Sequence, residues 1–366
     1  MQRIANYGSF LQAYALKQLI EELGHSVEFV DYHVGAPVAA DGADSGSRLV
    51  RKLKKGTEAL CCQAPLSHKL AFIRYKQNFG KKYMPELGVT PDGNYNPVLD
   101  CLVIGSDEVF NCIQKNSNVG YSPELFGKDN HAGRLITYAA SFGNTTLEKL
   151  KAYAKAEEIA ALLRNFDALS LRDANSGSIV EQLTGRTPEY HLDPVLVYDY
   201  MHACDRIPDV KAQEDYLLLY AYAGRISAHE SDWIAEYAHK KGLKVYAIGG
   251  IQKCADRFID CSPFAVPAYF RNAREVITDT FHGSIFSVIT QRPFTALVRR
   301  SQGDSYGNEE KLSDLLDRLG LSTRMTTQVE QAARINAADI DYGQVERILG
   351  VQRAAAKEYL RKNLEG

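Results

Sequence analysis

The chain has 366 residues, enough for two hydrophobic cores, and 45% of them are hydrophobic against 24% charged, which excludes wholesale disorder. Lys and Arg number 43 against 45 Asp and Glu, a formal charge of −2 that excludes a nucleic-acid binder held by overall electrostatics. No window approaches the roughly 20 apolar residues of a membrane span, and residues 1–6 hold no apolar stretch of signal-peptide kind.

Taken in order, residues 10–23 read as an amphipathic helix. Leu11, Ala15, Leu16, Leu19, Ile20 and Leu23 fall at helical spacing and Gly24 follows as a stop. Residues 27–32 alternate like a strand. Residues 35–47, rich in Gly, Ala, Ser and Asp, read as a loop. From 48 to 82, ten Lys and Arg residues face one acid, Glu58. A solvated helical face is the plainer reading. The sharper one is a patch for anionic lipid or a diphosphate-linked sugar carrier, giving peripheral contact with the inner face of a membrane.

Regular alternation follows. Strands are expected at 99–104, 135–140 and 168–171, with a helix over 146–165 and another running to Leu183. Leu192-Asp193-Pro194 starts a turn, because the residue before proline is pushed out of the helical region. A second series holds strands at 216–222, 244–248, 275–278 and 293–298. Its helices fall at 227–241, closed by Gly242, and at 285–290, and a long helical segment ends the chain at 342–364. Strands alternating with helices predict α/β architecture with mostly parallel sheets. The expectation is two Rossmann-like lobes with a central cleft, the first at 1–207, the second at 208–340, and a C-terminal helix at 341–366.

Seven cysteines, at 61, 62, 101, 112, 204, 254 and 261, form no CxxC pair. Scattered thiols fit a reducing cytosol, so a cytoplasmic location is expected. No His, Asp or Glu cluster has metal-ligand spacing, and no structural metal is expected.

In open α/β sheets ligands sit beyond the carboxyl ends of the strands. That rule selects Asn6-Tyr7-Gly8-Ser9, Gly105-Ser106-Asp107-Glu108, Ser141-Phe142-Gly143, Arg172-Asp173 and the run from Asp279 through Thr280, His282 and Gly283 to Ser284. Small residues there expose backbone N–H groups, and a helix N-terminus favours an anion, so the cleft suits phosphate or carboxylate. His282, before a helix and beside Gly283, can donate a proton or pair with an anion; the alternative is a helix cap. Arg172 ends an apolar strand and can clamp a carboxylate or phosphate; the alternative is a local salt bridge. Asp107 either contacts an acceptor hydroxyl, acts as a base, or caps a turn. Asn6 and Gln12 either hydrogen-bond a ligand or hold the loop.

Five blocks in this order resemble the motifs of the polysaccharide pyruvyltransferase family. Asn6-Tyr7-Gly8-Ser9-Phe10-Leu11-Gln12-Ala13-Tyr14-Ala15-Leu16 resembles its opening NYGAxLQAYAL. Ile104-Gly105-Ser106-Asp107-Glu108-Val109-Phe110-Asn111 resembles GSDQVWN, and Leu169-Ser170-Leu171-Arg172-Asp173 resembles SVRE. Leu192-Asp193-Pro194-Val195-Leu196 resembles DPTLL, and the run from Ile277 through Phe281-His282-Gly283 to Ser287 resembles ITDSFHGTVFS, the FHG-motif branch.

The resemblance implies a fold similar to the two-lobed glycosyltransferase B type. It also implies transfer of pyruvate from phosphoenolpyruvate to hydroxyls of a polysaccharide or lipid-linked sugar, forming a ketal in bacterial exopolysaccharide or capsule synthesis. Phosphoenolpyruvate is then the donor substrate and no cofactor is required. His282, Arg172 and Asp107 carry the catalysis, and Asn6, Tyr7, Gly8, Gln12, Gly105, Ser106, Ser141, Asp279, Thr280, Gly283 and Ser284 bind substrate. Two departures stand out. Thr280 occupies the place where relatives carry Arg two residues before the His, which leaves Arg225 and Arg299 as candidate replacements. Only five residues precede Asn6, so the family's first strand is expected to be missing or truncated. The competing readings are a nucleotide-sugar glycosyltransferase and a non-catalytic glycan-assembly protein of the same fold.

Overall fold

Two parallel sheets organise the computed structural model, which describes residues 3–39, 63–114, 119–299 and 307–365. The first sheet runs in the order β1 (Val98–Asp107), β2 (His131–Ala140), β3 (Ser170–Leu171), β4 (Glu189–Tyr190). β1 and β2 pair from Val98 opposite His131 to Asp107 opposite Ala140. The second sheet contains β5 (Tyr216–Tyr220), β6 (Lys244–Ile248), β7 (Arg257–Phe258), β8 (Glu275–Thr278), β9 (Phe294–Leu297) and β10 (Met325–Thr326). Its spatial order is β10-β9-β8-β5-β6-β7, parallel throughout. The chain leaves β5 toward β6 and β7, then returns to place β8 on the other side of β5. That reversal is the switch point of an open α/β sheet, where the connections part and leave a crevice at the strand ends.

The sheets are covered on both faces, so their strands read as nearly continuous apolar runs rather than alternating ones. β5, Tyr216-Leu217-Leu218-Leu219-Tyr220, is buried along its whole length. One core lies under the first sheet around Phe110, Phe126 and Phe142, and one under the second around Leu217, Val245 and Ile277. The largest core is shared between the lobes. It joins Phe10 and Leu11 to Phe79, to Tyr220 and Phe286, and to Leu349 and Leu360 of the last helix. That helix, Tyr342–Glu365, returns to the first lobe, where the Tyr359 hydroxyl donates to the Thr137 carbonyl at 2.8 Å and Arg353 Nε to the Leu196 carbonyl at 2.9 Å.

Several expected elements take another form. Residues 27–32 are not a strand. Among the described residues only Asp31 of this segment makes a ladder bridge, to Tyr95, through its N–H donating to the Asn94 carbonyl, while its carboxylate accepts from Arg3. The expected helix over 146–165 is two helices, Leu147–Ala152 and Ala156–Leu163, because Ala154 takes a left-handed φ of 52° and the Lys155 N–H turns back to the Leu150 carbonyl. Of the basic 48–82 segment and the 35–47 loop, residues 40–62 lie outside the described residues. Residues 66–82 belong to the Leu66–Leu87 helix, which buries Tyr75, Phe79 and Tyr83 and exposes Arg74, Lys76, Lys81 and Lys82. Among the described residues no helix is long and apolar enough to cross a membrane.

Candidate active site

Two helices start where sequence periodicity predicts loops, and both starts build the site. Asn6 is an extended N-cap whose side-chain oxygen accepts from Gly8 N at 2.8 Å and Ser9 N at 3.3 Å, so the first helix runs Tyr7–Glu21. Thr280 caps the Phe281–Ile289 helix by accepting from Gly283 N at 2.9 Å. His282 therefore stands in a rigid first turn directly after β8. Gly8 faces it: a Cβ there would lie 2.4 Å from the imidazole Cγ and Nδ1, so only glycine lets the two helix starts approach.

Between the carboxyl ends of the two sheets lies a cleft of about 470 Å³. The first lobe lines it with Asn6, Ser9, Asp107, Glu108, Lys149 and Arg172. The second contributes Tyr222, Arg225, Asp279, Thr280, His282 and Lys311. The lobes are tied across it by Asn6 Nδ2 donating to the Tyr222 hydroxyl at 2.7 Å and Lys311 Nζ donating to Glu108 Oε1 at 2.8 Å.

A buried charge network occupies the floor. Arg172 Nη1 donates to Asp193 Oδ2 at 3.0 Å and lies 3.5 Å from Asp107 Oδ1, while its guanidinium stacks 4.3 Å over the Phe281 ring. His282 Nε2 stands 3.6 Å from the same Asp193 oxygen. Burial alone would raise the pKa of Asp193, but His282 and Arg172 outweigh it and hold that carboxyl below the usual carboxylate range. Asp107 behaves alike: burial pushes it up, and Arg172 and then His282 pull it down further. Burial also opposes the charge on Arg172, yet Asp107 and Asp193 hold it firmly protonated. Asp107 Oδ2 additionally accepts from Ser9 Oγ at 3.0 Å.

Asp279, at the end of β8, is different. Its side chain is fully buried and neither carboxylate oxygen has a hydrogen-bond partner. Arg299 comes no nearer than 3.9 Å with Nε, because its two terminal nitrogens fork onto Glu230. Burial pushes Asp279 up to about 6, against the pull of Arg225, Arg299 and the nearby Tyr222 backbone N–H, which stays outside hydrogen-bond geometry.

Of the residues expected from sequence, Asn6, Asp107, Arg172, Asp279, Thr280 and His282 line the cleft. The others sit behind its wall. The Tyr7 hydroxyl donates to the Cys261 carbonyl, Ser106 Oγ to the Ala139 carbonyl, Ser141 Oγ to Asp173 and Ser284 Oγ to the Thr280 carbonyl. Gly105 and Gly283 are packed against Tyr138 and Thr278, and Gln12 is buried inside the first helix. These seven, with Gly8, are absent from the cleft lining and shape the wall behind it. Sequence reasoning missed Lys149, Tyr222 and Lys311. Glu108, in the selected loop beside Asp107 but given no role of its own there, also lines the cleft. Lys149 and Lys311 sit on helices with nothing local to mark them. Arg225 does line the cleft, whereas Arg299 is committed to Glu230.

The two parallel sheets and the cleft at their strand ends define an α/β enzyme scaffold. The profile of the polysaccharide pyruvyl transferase family matches residues 6–301, so the chain belongs to that family. No curated protein matches it. Among solved structures, an O-GlcNAc transferase mutant from Thermobaculum terrenum is 13% identical over 73% of this chain and 51% of its own, with a TM-score of 0.38. The UDP-GlcNAc 2-epimerase of Methanocaldococcus jannaschii, in complex with UDP-GlcNAc and UDP, is 12% identical over 74% of this chain and 87% of its own, with a TM-score of 0.40. The chain spans about half the length of the Thermobaculum protein, and likeness of this degree says nothing of what it binds.

Proposed function

We propose that this transferase moves the pyruvyl group of phosphoenolpyruvate onto two hydroxyls of a polysaccharide or lipid-linked sugar, forming a cyclic ketal and releasing phosphate. The observation that carries the reading is the gathering of Arg172, Arg225, Lys149 and Lys311 around His282 in one cleft drawn from both lobes. A donor bearing a carboxylate and a phosphate needs such a field, which a neutral acceptor does not.

The chemistry balances without a cofactor. A ketal needs both acceptor oxygens on C2 of the donor, so phosphate leaves with the electrons of its bond to C2. Of the two hydroxyl protons, one ends on the methylene carbon, making it methyl, and the other on phosphate. His282, its Nε2 beside Asp193, is suited to be the acid that protonates the methylene carbon. Arg172 is engaged by Asp193 and Asp107, so its part is to fix that triad and present positive charge to the donor rather than to swing out and clamp it. Arg225, on the cleft wall, stands in for the arginine that Thr280 replaces.

The test is acceptor-dependent phosphate release from phosphoenolpyruvate, with a panel of nitrophenyl and lipid-linked sugars. Release that vanishes in His282→Ala is the expected result. Silence of the wild-type protein with every acceptor, together with no binding of phosphoenolpyruvate in calorimetry, would overturn it.

A further inference from the structure

We propose that Asp279, rather than Asp107, is the general base that takes the proton from the acceptor hydroxyl. The inference rests on the pyruvyl-transfer reading and assigns a group that reading leaves open.

The two carboxylates differ in what already occupies them. Asp107 accepts from Ser9 Oγ on one oxygen and has Arg172 Nη1 at 3.5 Å from the other. A carboxylate stabilised on both oxygens is a weak base, because taking a proton means giving up those contacts. Asp279 lines the same cleft, three residues before His282, with both oxygens unpartnered. An orphaned buried carboxylate costs stability, and such groups persist where a ligand completes them. A sugar hydroxyl, as donor, is the partner its two oxygens lack.

The surroundings keep it so. Asp279's own carbonyl is fixed by Asn308 Nδ2 at 2.7 Å, so the residue cannot rotate away from the cleft as a unit. The charged groups around its carboxyl are Arg225 after β5, Arg299 after β9, and Glu230 on the Ala228–Lys240 helix. His282 follows on the next turn. Glu230 holds the two terminal nitrogens of Arg299 in a fork and so keeps them off Asp279, leaving only Nε, at 3.9 Å, beside the carboxylate. Near neutral pH the carboxyl is ionised but close to its midpoint, since burial places that midpoint at about 6, the range in which a base both accepts and releases a proton readily.

In the forward reaction His282 gives its proton to the methylene carbon as the first hydroxyl bonds to C2 and Asp279 takes that hydroxyl's proton. Phosphate then departs with the C2–O electrons and the proton from Asp279. The second hydroxyl closes the ketal and returns its proton to His282, so both residues end as they began.

The experiment measures phosphate release by wild type, Asp279→Asn, Asp279→Glu and Asp107→Asn from about pH 5 to about pH 8, with phosphoenolpyruvate binding followed by calorimetry. In wild type, kcat/KM rises with pH through about 6. Asp279→Asn should lose about 100-fold or more in kcat and that limb of the profile, while binding phosphoenolpyruvate at least as tightly. Asp279→Glu should recover part of the rate, and Asp107→Asn should keep the limb. Asp279→Asn turning over within about threefold of wild type, or retaining the limb, overturns the assignment, as does a loss of phosphoenolpyruvate binding in that variant. Wild-type silence with every acceptor overturns the transfer reading instead, and is distinguishable because it needs no variant.

Discussion

Gly8 lies against the imidazole of His282, in contact across the two lobes, at a distance that leaves no room for a methyl group. The position of the histidine is therefore set by a residue 274 places away, and the approach requires the Asn6 and Thr280 caps to start both helices where they do.

Gly8→Ala tests that relationship. A Cβ 2.4 Å from the ring forces His282 or a helix start to move. Overpacking of this kind costs about 1–3 kcal/mol, so the protein should still fold with a lowered thermal midpoint. Phosphate release should fall by about tenfold or more, as a misplaced acid does. Undiminished turnover in Gly8→Ala would show that the ring position does not matter.

Arg172 holds two buried carboxylates together. Replacing it by Met removes the cation and leaves Asp107 and Asp193 facing each other in low dielectric, at a cost of about 3–5 kcal/mol in denaturant unfolding at neutral pH. The double variant Arg172→Met with Asp193→Asn should recover a good part of that. A single variant as stable as wild type would mean the network is hydrated in a way its burial does not suggest.

Asp279 also has a stability signature. Its pKa is raised from the ordinary 3.8 to about 6 in the folded state. The protonated form is thus favoured by folding, a contribution present in full below about pH 4 and lost as pH rises through about 6. A shift of about two units corresponds to about 3 kcal/mol. Asp279→Asn should therefore gain on wild type by up to about 3 kcal/mol between pH 4 and pH 7. Equal differences in unfolding free energy at the two pH values would mean that Asp279 titrates normally.

Much of the architecture could be read from the chain. The strands at 244–248 and 275–278 fall where the apolar runs at their centres place them, because a strand buried on both faces is apolar there rather than alternating. Residues 27–32 show the limit of the same signal. Alternation describes a half-buried segment, but a strand also needs a continuous ladder partner, and among the described residues the pairing stops at the single Asp31–Tyr95 bridge. The break at Ala154 likewise has no local mark, since alanine favours helix and only the turn of Lys155 back to Leu150 imposes the left-handed residue.

Sequence by itself determined the family, the α/β class, and that His282, Arg172, Asp107 and Asp279 stand at strand ends. Those are properties of motifs and periodicity, which are local in the chain. Tertiary structure alone decided which of them face one another. Arg172 turned out to be engaged by Asp193, Ser141 and Ser106 to be bonded into the wall, and Lys311 and Tyr222 to reach the cleft from the second lobe. It also decided that two aspartates of one residue type have opposite characters. Burial, neighbouring charge and unshared hydrogen-bonding capacity depend on what the fold brings near a side chain, and no spacing along the chain encodes them.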